Sequence, residues 1–215
     1  QGGAIVDLRA ALGQAPRDAA ILTLMAAAHE RDGSPELAGE RLAMAVEVSG
    51  SAPEESLRYA QFLMRQGRVQ AADTVLTESR RVNPGNVGVL AMLADIALKA
   101  QDWPRAQEIA DTLAKLDTAE AKAATRALQA ALLLGQNRTE DGLAFLEEQV
   151  SKGGDDLAAI QMILQARIRS GKPEEARAYL DGELAKRPDD PGLRLLSAGL
   201  HALMGEVPQA EALFR

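Results

Sequence analysis

Gly33-Ser34-Pro35-Glu36-Leu37-Ala38 is the stretch that decides how this chain folds. Glycine enters the left-handed backbone region that other residues avoid, so Gly33 suits the end of one helix. Ser34 then stands as an N-cap for a second helix. Pro35 falls in its first turn, where a missing amide donor does no harm. Gly171-Lys172-Pro173-Glu174-Glu175-Ala176 repeats the arrangement and sets two carboxylates beside the positive end of the helix. Between such stops the apolar residues keep helical spacing, as in Leu22, Met25 and Ala26 and again in Leu90, Leu93, Ala94 and Ala97. No strand-like alternation competes, and the fold class expected is all-α.

Working outward, the same turn recurs. Gly33, Gly67, Gln101, Gly135, Gly171 and Gly205 take one equivalent position, at intervals of 34, 34, 34, 36 and 34 residues. Five residues later comes a small residue: Ala38, Ala72, Ala106, Ala176 and Ala210. Gly142 fills that place in the fourth unit, which reads as following a two-residue insertion in the turn over 135–142. Four residues further stand Leu42, Leu76, Ala110, Leu146, Leu180 and Phe214, and the units close near Pro16, Gly50, Pro84, Thr118, Gly154 and Pro188. The small residue reads as the contact point between paired helices. Enlarging it to leucine is expected to cost roughly 1–3 kcal/mol through overpacking. The fourth unit, with its longer turn and its glycine, is expected to be the weakest.

This pattern resembles the tetratricopeptide repeat (TPR) family, whose helix–turn–helix unit carries Ala-x3-Phe and a closing proline. The resemblance covers essentially the whole chain and implies a right-handed α-solenoid of stacked antiparallel helix pairs. It divides 1–215 into a partial unit 1–18, full units 19–52, 53–86, 87–120, 121–156 and 157–190, and a partial unit 191–215. Neither end carries a polar cap: the chain enters at Ala4, Ile5 and Leu8 and stops at Ala212, Leu213, Phe214 and Arg215. The expectation is a piece of a larger, bacterial-type repeat protein that continues on both sides and associates end to end when isolated.

Composition narrows the function. The chain is 47% hydrophobic but only 3% aromatic, so alanine and leucine carry the burial and helices can approach closely. There is no cysteine, which removes disulfides, thiolate metal sites and a cysteine nucleophile. The net charge of −7 weighs against nucleic acid as a partner, including the single-stranded RNA read by helical repeats of the pentatricopeptide type. No stretch is apolar enough for a membrane span.

Residues that could carry chemistry are few. His29 and His201 both stand eleventh in their units, where the family has a large structural residue, and they read as packing. His29-Glu30 does not open a zinc motif, because position 33 is glycine. Trp103 reads as a packing anchor. The acidic pairs Glu54-Glu55, Asp155-Asp156, Glu174-Glu175 and Asp189-Asp190 stand at helix starts or unit boundaries, where they stabilise or solvate. No phosphate-binding glycine loop and no nucleophile–base pair is present. The chain is expected to need no cofactor or metal and not to be an enzyme.

What remains is a surface. In the TPR family the first helix of each unit lines a concave groove at its second, fifth, sixth, ninth, twelfth and thirteenth positions. That register implies a polar lining of Arg58, Gln61, Arg65, Asp95, Lys99, Lys122, Arg126, Gln129, Gln161, Gln165 and Arg169. The first helices carry −1, 0, 0, +2, +2 and +1, or +4 in all, so the rest of the chain carries −11 against the total of −7. An inner face that is neutral to basic favours an acidic protein or peptide segment. Lys122 and Arg126 also match two positions of the carboxylate clamp of chaperone-associated TPR proteins, but Leu57, Gln61 and Met92 depart from it. The function expected is a protein-binding scaffold, in the style of bacterial envelope or exopolysaccharide machinery. The alternative is a regulatory or tethering region serving a catalytic or sensory domain elsewhere.

Overall fold

The computed structural model describes residues 2–153 and 157–206, with side chains from residue 6 to 152 and from 157 to 206. The expectations placed on Gly154, Asp155, Asp156, Ala210, Ala212, Leu213, Phe214 and Arg215, and on the side chains of Ala4 and Ile5, lie outside these residues.

The described residues form twelve helices and no strand. The first six are α1 (Gly2–Gln14), α2 (Ala19–Arg31), α3 (Pro35–Val48), α4 (Pro53–Arg65), α5 (Val69–Val82) and α6 (Val87–Lys99). The rest are α7 (Trp103–Ala114), α8 (Ala119–Gly135), α9 (Thr139–Gly153), α10 (Leu157–Arg169), α11 (Pro173–Lys186) and α12 (Pro191–Leu203). The chain divides into two units, 1–128 and 129–215, and the boundary falls inside α8. In the first unit α2 pairs with α3, α4 with α5 and α6 with α7, and α4 also touches α6. In the second, α10 packs against α9 and α11 and also touches α12.

One turn joins each first helix to its second. A residue in the left-handed region occurs at Gly33, Gly67, Gln101, Asn137, Gly171 and Gly205, with φ between 57° and 81°. The amide of the next residue reaches back to a carbonyl five residues earlier: Ser34 to His29, Arg68 to Leu63, Asp102 to Ala97, Arg138 to Leu133, Lys172 to Arg167 and Glu206 to His201. This six-to-one bond satisfies a helix-end carbonyl and sets the exit direction of the chain. The side-chain cap expected from Ser34 is absent, for Ser34 makes no cap hydrogen bond. Side-chain caps open first helices through Asp18, Asn86, Thr118 and Asp190, and among the second helices Asp102 caps α7.

The fourth turn corrects the sequence register. The left-handed residue there is Asn137, not Gly135, which is the last residue of α8. The spacings become 34, 34, 36, 34 and 34, so the two extra residues lie before the turn and not within it. They are absorbed by α8, which has 17 residues where the other first helices have 13. Its remaining two come at the expense of α7, which has 12 where α3, α5 and α11 have 14. From Asn137 the small-residue position still comes five residues later, at Gly142, and it is buried. A Cβ on Gly142 would lie 2.8 Å from Leu134 Cδ2 and 2.9 Å from Leu134 Cγ. Gly142 is therefore filled space, occupied by a neighbouring leucine. It is not the gap that the missing alanine suggested.

Ala38, Ala72, Ala106 and Ala176 are wholly buried, as contact points between paired helices should be. Around them in the first unit close Leu22, Met25, Leu63, Leu76, Leu90, Leu93, Ile109 and Leu113, and in the second Ile160, Ile163, Leu180 and Leu193. Each buried leucine or isoleucine contributes about 1.5–3 kcal/mol. Aromatic side chains play little part in this core.

Candidate partner-binding groove

First helices α4 and α6 touch each other as well as their paired helices, and where they meet lies a shallow, open trough of about 430 Å³. Gln61, Met64 and Arg65 of α4 form one wall, and Gly88, Ala91, Met92 and Asp95 of α6 form the other. All seven stand at the second, fifth, sixth, ninth, twelfth or thirteenth position of a 13-residue first helix. Three of the polar residues expected in the groove, Gln61, Arg65 and Asp95, are thus brought together. The apolar floor of Met64, Ala91 and Met92 is new, because the sequence reading counted only polar residues at these positions. Gly88 lets the helices approach, since a Cβ there would lie 3.1 Å from Leu57 Cδ1.

The charges beside the trough are mostly spent on one another. Arg65 pairs with Glu30 of α2 at 2.6 Å, and Lys99 pairs with Asp95 at 2.7 Å. Arg58 is exposed and pairs with Glu54 one turn away at 2.8 Å. These exposed pairs add little stability, and a ligand carboxylate at Arg65 has to compete with Glu30.

In the second unit Gln161, Gln165 and Arg169 all lie exposed on α10. Arg169 makes no ion pair among the described residues. Gln165, Ile168 and Arg169 of α10 stand at the helix positions of Gln61, Met64 and Arg65, 104 residues further along. On α12, Gly192 and Leu196 answer Gly88 and Met92, whereas Leu195 replaces Ala91 and Gly199 replaces Asp95. Gly192 again marks a close approach: its Cβ would lie 2.3 Å from Leu157 Cδ1.

α8 departs from the expected register. Counted back from Asn137, its groove positions fall on Ala124, Ala127, Leu128, Ala131, Leu134 and Gly135, not on the residues two places earlier. Lys122 is exposed near the start of α8 and pairs with Asp117 at 2.5 Å. Arg126 and Gln129 are half-buried at positions that turn toward the core in the other first helices. The structure does not bring these three into the register of Arg65 and Arg169. The clamp-like match of Lys122 and Arg126 disappears with the register.

Elsewhere polar groups serve packing. His29 is 3% exposed, within the core. His201 is half-buried, and its Nδ1 lies 2.6 Å from Glu206 Oε2. Trp103 is half-buried at the first residue of α7. On α10 the Arg167 guanidinium lies 5.2 Å from the centre of the Tyr179 ring and pairs with Glu147. Burial, reinforced by Glu183 and Glu147, pushes the Tyr179 hydroxyl up to about 12. Among the described residues no group of three or more His, Cys, Asp or Glu could hold a metal ion. No described helix is long and apolar enough to cross a membrane.

The sequence profile of the tetratricopeptide repeat matches residues 63–132 and 167–215, more than half of the chain. The chain belongs to the tetratricopeptide repeat family. Solved structures agree on the TPR fold. A TPR protein from Parabacteroides merdae is 16% identical with a TM-score of 0.71, the match covering 98% of this chain and 82% of that one. MamA from Desulfovibrio magneticus RS-1, from residue 41 to its end, is 18% identical with a TM-score of 0.55, covering 80% and 97%. YrrB, a TPR protein with an unusual peptide-binding site, is 15% identical with a TM-score of 0.53, covering 86% and 95%. At such identities the likeness is one of fold. No curated protein sequence matches the chain. TPR folds generally mediate protein–protein interaction and are typically non-catalytic.

Proposed function

We propose that this TPR protein is a non-catalytic scaffold that holds a segment of a protein partner against its first helices, anchoring an apolar side chain in the α4–α6 trough. The observation that carries the reading is the composition of that trough. Every residue lining it stands at a groove position of its helix, and its floor is apolar, with Gln61, Arg65 and Asp95 beside it. Methionines suit such a floor, because an unbranched, polarizable side chain adapts to several shapes of guest. Gln61 supplies a hydrogen-bonding amide to the guest backbone, and Arg65 and Asp95 orient its flanks. That YrrB has a peptide-binding site on the same fold is consistent with this use.

The test places a photo-crosslinking amino acid at Ala91, on the trough, and in a second variant at Glu148, exposed on α9. The expected result is one dominant protein adduct from position 91, lost when Met92→Arg fills the trough, and no comparable adduct from position 148. Equal capture from the two positions, or an adduct that survives Met92→Arg, would overturn the groove assignment.

A further inference from the structure

The α4–α6 trough has a counterpart, and the two differ where charge matters. We propose that α10 and α12 form a second trough, which takes an aliphatic side chain flanked by a carboxylate, with Arg169 holding the carboxylate. The proposal rests on the first-helix face being the binding surface, and it adds the chemistry of the guest.

Three observations carry it. First, the helix positions of the first trough recur 104 residues on, with glutamine, arginine and the crossing glycine unchanged and the floor aliphatic as Ile168 and Leu196. Second, the space is open. Leu195 is 61% exposed, and a Cβ on Gly199 would meet nothing within 4 Å. A glycine in mid-helix weakens the helix. No packing contact requires Gly199, and the notch it leaves lies one turn beyond Leu195. Third, the charge is unbalanced. Neither α10 nor α12 contains an acidic residue. In the first unit Arg65 is neutralised by Glu30, but the position answering Glu30 on α8 is Leu134. Arg169 makes no ion pair among the described residues, and Asp95, which would repel an acidic guest, is replaced by Gly199. A guanidinium beside an aliphatic floor, with no carboxylate paired to it among the described residues, matches a segment in which leucine, isoleucine or valine adjoins aspartate or glutamate.

The test is methyl-detected NMR titration of the protein with two acetylated, amidated pentapeptides, Ala-Asp-Leu-Glu-Ala and Ala-Lys-Leu-Lys-Ala. The acidic peptide is expected to shift the methyl signals of Ile168, Leu195 and Leu196 saturably, at least tenfold more tightly than the lysine peptide. Arg169→Glu and Gly199→Leu, each checked for an unchanged melting temperature, are expected to weaken it at least tenfold. Equal response to both peptides, or affinity within twofold in Arg169→Glu, overturns the proposal. Shifts confined to the Met64 and Met92 methyls also overturn it, while leaving the first trough standing. Shifts at neither site, together with failure of crosslinking from position 91, remove both readings.

Discussion

Gly142→Ala asks whether the glycine of the fourth repeat is a defect or a fitted part. In isolation the change favours the helix: alanine exceeds glycine by about 0.8–1 kcal/mol in helix propensity. Against this stands the geometry. The new methyl would lie 2.8 and 2.9 Å from Leu134 Cδ2 and Cγ and 3.5 Å from Leu133 Cβ, so the body of Leu134 has to move as well as its tip. Overpacking of this kind costs about 1–3 kcal/mol, leaving a net loss of about 0–2 kcal/mol. Gly182→Ala in α11 is the matched control, because nothing lies within 4 Å of its Cβ and only the propensity gain of about 1 kcal/mol applies. The difference between the variants isolates the contact at about 1–3 kcal/mol, or about 2–12 °C in melting temperature for a chain of this size. Urea and thermal unfolding followed by circular dichroism measure both, with unchanged urea slopes showing that the unfolding unit is the same. If Gly142→Ala stabilises as much as Gly182→Ala, Leu134 does not occupy the site and the glycine is a simple gap.

Three further outcomes are expected. Arg105 makes two hydrogen bonds to Asp73 between α7 and α5, at 2.6 and 3.1 Å, with side chains only 29% and 16% exposed. A double-mutant cycle on that pair should therefore give a coupling of about 1–2 kcal/mol, and no measurable coupling would show that solvent screens it. In a Tyr59→Phe background, absorbance at 295 nm should show Tyr179 ionising near 12. Its folded value is raised above that of the unfolded chain, so its stabilising contribution is complete below about pH 10 and is lost as the pH rises through 12; ionisation near 10 in the folded protein would refute the burial argument. Finally, Lys122→Glu and Arg126→Glu should leave peptide affinity at the trough methyls within twofold, and a tenfold loss would restore them to the groove.

The repeat was legible because its signals are local. A left-handed residue needs glycine or a tolerant substitute, and a close helix contact needs alanine, so Gly33 and Ala38 announce the turn from six residues of sequence. The same locality explains the error at the fourth repeat. Gly135 offers the expected residue type two places early, while Asn137, also able to adopt positive φ, holds the position. Which of them ends the helix is decided by the burial of the whole of α8, a quantity spread over several neighbours. The groove was half legible. Register located Gln61, Arg65 and Asp95, but it singled out only polar residues, and the apolar lining by Met64 and Met92 shows only where α4 and α6 meet. Pairing was not legible at all: Glu30 and Arg65 lie 35 residues apart, and only the packing of α2 and α4 on α3 brings them together.

The extra turn of α8 also bears on how this gene can change. Two residues inserted into a helix rotate everything beyond them by roughly 200°, which ordinarily turns a core face outward. α8 reads AEAKAATRALQAALLLG, with alanine on nearly every side. A helix clad in methyl groups has no strongly preferred face, so such a slip exposes little oil, and Arg126 is the one charged side chain of α8 left half-buried. α8 is therefore a place where residues can be gained or lost at little cost to the fold. Length differences among the gene's descendants should gather there and spare the turns, where a single left-handed residue and one carbonyl admit no shift of frame.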